Sequence, residues 1–428
     1  MKDNSADMII SGASELVTLA PDGTIEIVKD GWLAIQGERI VALGDKSAVT
    51  PWYDENITQR IDARGKVVAP GFVDCHTHLV FGGSRVNEYA AGLTAAGALE
   101  LKKKGVRTGI HATVEDTRGA SAAELFMQAL SRLDRMLAAG TTTVESKSGY
   151  GLSTEAEIKI LEVNRQLKKC SPVDLSVTFL GAHGWPLGGS RKAYMDVLIN
   201  EMIPRVAELG LAQFCDVWCD EGYYSAEEAA DILNAALDFG LRPKIHTDAY
   251  SYIGGSDLAA GMKMLSADHL NYTPAASMRK LAEADVVGVL LPALDFAVQH
   301  KRPFDYLQMK EQGMTVALAT NLCPGCWLES MQLVMVLACR LYQMSPEEAL
   351  LAATIGGAKA LGLDQDCGSL EIGKYADIQI WDVPHYAHVI YRLGGIVVDK
   401  VLKKGRIVAE HPPKDVHFAI EDGAEDGS

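Results

Sequence analysis

The chain has 428 residues, 48% of them hydrophobic and 22% charged, with a formal net charge of −16. That balance excludes extended disorder and leaves room for one large domain or two to three smaller ones; the acidic excess opposes a phosphate backbone, so no nucleic-acid partner is expected. No apolar run approaches the ~20 residues that span a bilayer, and the opening MKDNSADMII carries no secretion signal, so a cytoplasmic protein without a membrane partner is expected, its eight cysteines reduced.

Residues 1–68 read as strands and turns, with β-branched alternation in GTIEIVKDGWLAIQGERIVALGD and again in QRIDARGKVVAPG. The same texture returns over 363–412, in GSLEIGKYADIQIWDVP and GGIVVDKVLKKGRIVAEH. Two separated β segments predict one small β-sandwich built from both chain ends, followed by a loose acidic tail over 413–428.

The middle, 69–362, alternates. Ser121 with Glu124, Thr154 with Glu157 and Ser225 with Glu228 have the spacing of capping boxes that open helices. Thr273-Pro274 and Ser345-Pro346 place a proline at the first helical position of two more. Between the helices lie eight short apolar stretches, at 67–76, 141–148, 173–183, 212–222, 242–248, 264–269, 286–294 and 314–321. Eight buried strands alternating with helices predict an α/β fold of (β/α)8 TIM-barrel type. A doubly wound open sheet competes, but no GxGxxG follows a strand.

His76, His183, His246, His269 and Asn321 fall at the C-terminal ends of five different predicted strands, where barrels build their active sites. His76 and His78 lie two apart on a strand, so both imidazoles project to one face and can share a metal ion. An HxH pair alone is a common coincidence; with His246 and His269 ending later strands of the same sheet, it predicts one divalent metal, Zn²⁺ or Fe²⁺, with a position open to water. Cys323 and Cys326, in CPGC, form the one CxxC pair; with no second pair to complete a zinc site, a tight Pro-Gly turn is expected.

These residues carry a resemblance. PGFVDCHTH, the strand-end histidines and SPEEALLAATIGGAKALGL…GSLEIGKYADIQIWD resemble the amidohydrolase superfamily, and VFGGSR, KSGYGL, FLGAH, KIHTD and SADH resemble its imidazolonepropionase family. The resemblance implies metal-dependent opening of the imidazolone ring of 4-imidazolone-5-propanoate to N-formimidoyl-L-glutamate in histidine degradation, in a homodimer. It implies His76, His78 and His246 as metal ligands, with Asn321 at the fourth position, which also accepts a proton. Arg85 would bind the substrate carboxylate, which suits its planar fork. Tyr150 and His183 would hold the ring and its carbonyl, and His269 would stabilise developing charge. Cys323 and Gly325 would border the substrate. Lys147, at a strand end, raises the alternative of a carbamylated metal bridge.

Three positions depart from the family pattern. Asn321 stands where the family has Asp, and an amide lacks a carboxylate's basicity. Ala249 stands where the family tends to place a proton-donating Glu, with Asp248 beside it read as a structural acceptor. Cys323 replaces an Asn. The departures motivate two rival expectations: an amidohydrolase or deaminase for another small anionic heterocycle (imidazolone-, hydantoin- or heteroaryl-type), or a catalytically impaired barrel serving as a binding protein.

Overall fold

The computed structural model describes residues 5–20, 23–45, 52, 54 and 58–411; the acidic tail expected at 413–428 lies outside them. The N-terminal segment forms β1 (Met8–Ala13), β2 (Glu15–Leu19), β3 (Ile25–Val28), β4 (Gly31–Gln36), β5 (Arg39–Gly44), β6 (Gln59–Asp62) and β7 (Val67–Pro70). The barrel strands follow: β8 (Phe72–Thr77), β9 (Thr141–Lys147), β10 (Asp174–Ala182), β11 (Phe214–Cys219), β12 (Arg242–Thr247), β13 (Ser266–His269), β14 (Val287–Leu290) and β15 (Val316–Leu318). The chain then returns to the sandwich with β16 (Ile378–Trp381), β17 (Val398–Lys403) and β18 (Arg406–Glu410).

Two sheets make the sandwich, one in the order β5-β4-β1-β6, the other β18-β17-β16-β7-β2-β3. The second joins both chain ends, because β16 pairs antiparallel with β7 on one side and β17 on the other. Alternation in these strands sends Ile10, Leu33, Ile35, Ile61, Val68, Ile378 and Leu402 into one shared core. Each such side chain contributes about 1.5–3 kcal/mol on burial, so the two ends stabilise each other through this core.

The eight barrel strands are neighbours in strict chain order and parallel throughout, as their short apolar runs predict. Closure comes from the chain just beyond β15. The Asn321 N–H donates to the His76 carbonyl at 3.1 Å and the His78 N–H to the Leu322 carbonyl at 2.8 Å. The seam therefore sets residue 321 directly beside the HxH pair.

Ser121, Ser225 and Ser345 cap their helices with reciprocal boxes through Glu124, Glu228 and Glu348. Two expected starts shift by one residue. The helix Thr154–Cys170 is capped by Ser153, not Thr154, because the Glu157 side chain turns away to the preceding loop. Pro274 is the N-cap of Ala275–Glu283 rather than its first residue, since the Thr273 hydroxyl is already donated to Asp248 at 2.7 Å. The CPGC segment is the expected tight turn, with Cys323 and Cys326 exchanging both backbone hydrogen bonds at 3.0 and 3.1 Å. Among the described residues no helix is long and apolar enough to cross a membrane.

Candidate active site

β8 and β12 deliver three imidazoles to one point. The ligand atoms of His76, His78 and His246 all lie within 4.8 Å of one another, with the rings of His76 and His246 4.5 Å apart. His76 Nδ1 is 2.7 Å from Asp268 Oδ2, which turns Nε2 inward. His246 Nδ1 lies 2.9 Å from Asp216 Oδ2, out of line for a hydrogen bond. His76 Nε2 and both His246 ring nitrogens are buried with no hydrogen-bond partner. Leaving such groups unpaired costs about 1–3 kcal/mol each, and a divalent cation at their meeting point satisfies His76 Nε2 and His246 Nε2 while His246 Nδ1 stays beside the Asp216 carboxylate, so the donor set fits the metal.

The charge state agrees. Burial, reinforced by Lys147 and His246, pushes His76 down to about 3. Burial also holds His78 and His269 well below the usual histidine range and takes His183 to about 3. Each is a neutral imidazole at pH 7, the form a metal binds.

A layer of charge lies beneath the histidines. Lys147 Nζ stands 3.1 Å from Glu145, 2.8 Å from Asp216 and 3.1 Å from Asp268, and Lys244 Nζ 2.8 Å from Glu145, all five side chains fully buried. Burial opposes the charge on Lys147, but Asp216, Asp268 and Glu145 hold its ammonium well above the normal lysine range. Burial would raise Asp268, yet Lys147 and Lys244 hold it well below. In this structure Lys147 is committed to these three carboxylates. The cluster orients the carboxylates that orient His76 and His246.

Above the histidines is a cavity of about 240 Å³ lined by His78, Arg85, Tyr150, His183, His246, His269, Asn321, Cys323 and Gly325, the nine remaining candidates from the sequence; His76 sits below it. His183 stacks on His78 at 4.8 Å. Tyr150 stands 5.3 Å from both rings, and burial pushes its hydroxyl well above the usual range, so it stays protonated. Arg85 is held on one side by Glu88, at 2.8 Å through Nε, and its Nη1 faces Gly325, where a Cβ would stand 3.4 Å away. Asn321 Nδ2 approaches Cys323 Sγ at 3.8 Å.

Asp248 and Ala249 are outside the cavity lining. The Asp248 carboxylate accepts from Thr247 and Thr273 at 2.9 and 2.7 Å, the structural role expected of it. Four non-glycine residues around the site adopt left-handed backbone: Asp248 (φ 57°), His269 (85°), Leu270 (64°) and Asn321 (49°). Such conformations cost energy and cluster where strand ends must aim side chains.

Sequence reasoning missed Glu145, Asp216, Lys244 and Asp268, although one signal was available: each is a charge inside an apolar strand run. It also missed Trp218, Tyr223 and Tyr250, which line the cavity, Trp218 and Tyr223 stacked at 3.6 Å. Trp218, within β11, and Tyr223 and Tyr250, in the loops after β11 and β12, give no such signal.

The sequence matches the amidohydrolase family over residues 67–408. It is 41% identical over 421 residues to the imidazolonepropionase of Alkaliphilus metalliredigens, covering 94% of this chain and 98% of that one. It is 42% identical over 416 residues to that of Alkaliphilus oremlandii, with 94% and 98% covered. An adenosine deaminase from Xanthomonas campestris, solved with bound zinc, shares the fold at a TM-score of 0.72 and 18% identity, with 94% and 93% covered.

Proposed function

Because the chain belongs to the amidohydrolase family and, within it, to the imidazolonepropionases, a group of metal-dependent hydrolases, we propose the following division of labour for the hydrolysis of 4-imidazolone-5-propanoate to N-formimidoyl-L-glutamate. Water adds to the ring carbonyl carbon, the C–N bond breaks, and the departing nitrogen takes a proton. One observation carries the reading. The imidazoles of His76, His78 and His246 converge, with His76 Nε2 and His246 Nε2 unpaired, at the base of a cavity of about 240 Å³ that one guanidinium also lines, room for a five-membered ring with a short carboxylate arm.

His76, His78, His246 and Asn321 would hold the ion, and imidazole ligands suit both zinc and ferrous iron. When bound, a divalent ion there supplies Lewis acidity for the carbonyl and the water. Arg85 anchors the propionate at the Gly325 and Cys323 end. Tyr150 and His183 orient the ring, and His269 faces the carbonyl oxygen as negative charge develops there. The family resemblance further supports a cytoplasmic homodimer, which sedimentation at working concentration tests.

A second reading rests on a specific observation: among the described residues, no carboxylate side chain lines the cavity. A ring whose nitrogen departs without a carboxylic acid to protonate it, such as a hydantoin, suits that lining better. The test is hydrolysis of freshly made imidazolonepropionate, followed by loss of its ultraviolet absorbance, beside a panel of hydantoin- and heteroaryl-propionates. Turnover of the imidazolone above the rest of the panel supports the proposal; preference for another ring overturns it.

A further inference from the structure

The loop Ser148–Leu152, which carries Tyr150, is bound from below by one buried side chain. Glu157 accepts from the Gly149 N–H at 2.9 Å, the Gly151 N–H at 2.7 Å and the Leu152 N–H at 2.9 Å, and the Ser148 hydroxyl donates to it as well. Burial raises the carboxyl group above the usual range, and the four donors around it oppose that rise, an arrangement that favours a carboxylate over a neutral acid at pH 7. The contact requires glycine: a Cβ on Gly151 would lie 2.5 Å from the Glu157 nitrogen, and Gly149 has a φ of 109°.

The loop's carbonyls in turn touch two rings of the site. His78 Nδ1 lies 3.4 Å from the Ser148 carbonyl and His183 Nδ1 lies 3.3 Å from the Gly149 carbonyl. Donation from each Nδ1 to its carbonyl leaves each Nε2 as a lone pair facing the site. Sequence spacing gives Glu157 to a helix cap; the structure gives that cap to Ser153 and frees the carboxylate for the loop.

We propose that Glu157 is a positioning residue of the active site, fixing through one loop the place of Tyr150 and the tautomer and aim of His183 and His78. The inference rests, for Tyr150 and His183, on the reading that they hold the substrate. Glu157→Gln keeps the shape but sets an NH₂ against either the Gly149 N–H or the Gly151 and Leu152 N–H groups. Glu157→Asp keeps both oxygens on a shorter arm, and covers the case in which the glutamine variant does not fold. Glu228→Gln, at a helix cap away from the site, reports what loss of a capping carboxylate does by itself.

Each holoenzyme is measured for kcat and KM on imidazolonepropionate and for the rate at which a chelator strips its metal. Glu157→Gln should raise KM at least tenfold with kcat changed less than threefold, and should release metal at least fivefold faster; Glu157→Asp should fall between it and the wild type. A KM effect alone supports positioning of Tyr150 and His183, and a metal effect alone supports positioning of His78. If neither quantity departs from Glu228→Gln, the proposal is overturned. If the wild type does not hydrolyse imidazolonepropionate, the proposed function fails, and the metal-release rates alone decide the role of Glu157.

Discussion

Replacing Asn321 with Asp restores a proton acceptor where the present amide offers none. The position tolerates the change. Its φ of 49° is a left-handed conformation that Asp, like Asn, adopts more readily than most residues. The side chain is 4% exposed, and among the described residues no other carboxylate lines the cavity. The amide group gives up a weak hydrogen bond to Cys323 Sγ, at 3.8 Å, which forfeits little.

General acid–base catalysis typically contributes 10²–10⁴-fold. Because Ala249 leaves the second proton-transfer position unfilled, the gain should sit at the low end, about 10² in kcat/KM, or about 2.7 kcal/mol of barrier at 1.36 kcal/mol per tenfold. The assay compares both proteins on imidazolonepropionate, each with its metal content measured, so that a gain in chemistry is separated from a gain in occupancy. A change under about threefold at equal metal content would refute the reasoning, since residue 321 would then take no part in proton transfer.

Lys147→Met leaves Glu145, Asp216 and Asp268 around Lys244 alone, and breaking a buried pair of this kind costs about 3–5 kcal/mol. Calorimetry should show a melting temperature lower by several degrees, and an unchanged midpoint would deny the cluster its role. Arg85→Gln should raise KM for propionate-bearing rings by about 10–150-fold, the worth of a charged hydrogen bond of about 1.5–3 kcal/mol, while leaving weak turnover of the same ring without its arm unchanged; equal loss on both rings would place Arg85 elsewhere than at the carboxylate. Asp174 is held below the usual carboxylate range despite its partial burial, by Lys403 and Lys404. A depressed folded value means stability that is present above about 3.8 and lost as pH falls through the folded value. Asp174→Asn should therefore lower the melting temperature at pH 7 and converge with the wild type once the pH falls below the folded value; with the side chain 44% exposed, the difference should stay under about 1 kcal/mol.

The barrel was legible because buried parallel strands announce themselves as short apolar runs between capped helices, and because the chemistry of this architecture gathers at strand ends. The histidines, Arg85 and Asn321 were found by that rule together with local motifs. The ion cluster was not, since a charge in an apolar run reads as an interruption until its partners arrive from strands up to 121 residues away, as Lys147 to Asp216 and Asp268, or Lys244 to Glu145, do. The Glu157 role was hidden by a competing local explanation: Ser153, Thr154 and Glu157 satisfy helix-start spacing almost equally well, and a one-residue shift decides whether the carboxylate caps a helix or holds a loop.

The same cluster bears on whether this chain catalyses or only binds. Three carboxylates lie against two lysines fully buried beneath the histidines, an excess of one acidic group, and two imidazole nitrogens above it, His76 Nε2 and His246 Nε2, lack partners. For a barrel that only binds, both features are pure cost, because buried ion clusters of this kind are commonly no more stable than well-packed apolar residues. A divalent cation relieves both at once, supplying the missing positive charge and satisfying the open nitrogens. The floor of the cavity is therefore built for a metal. The neutral side chains at 249 and 323 bear on how fast protons move and which ring fits, and the amide at 321 on proton transfer and on the fourth ligand, while the three imidazoles that would hold the metal are intact. Hydrolysis slowed at the proton-transfer step reconciles an intact metal nest with a carboxylate-free cavity; a non-catalytic barrel leaves the nest unexplained.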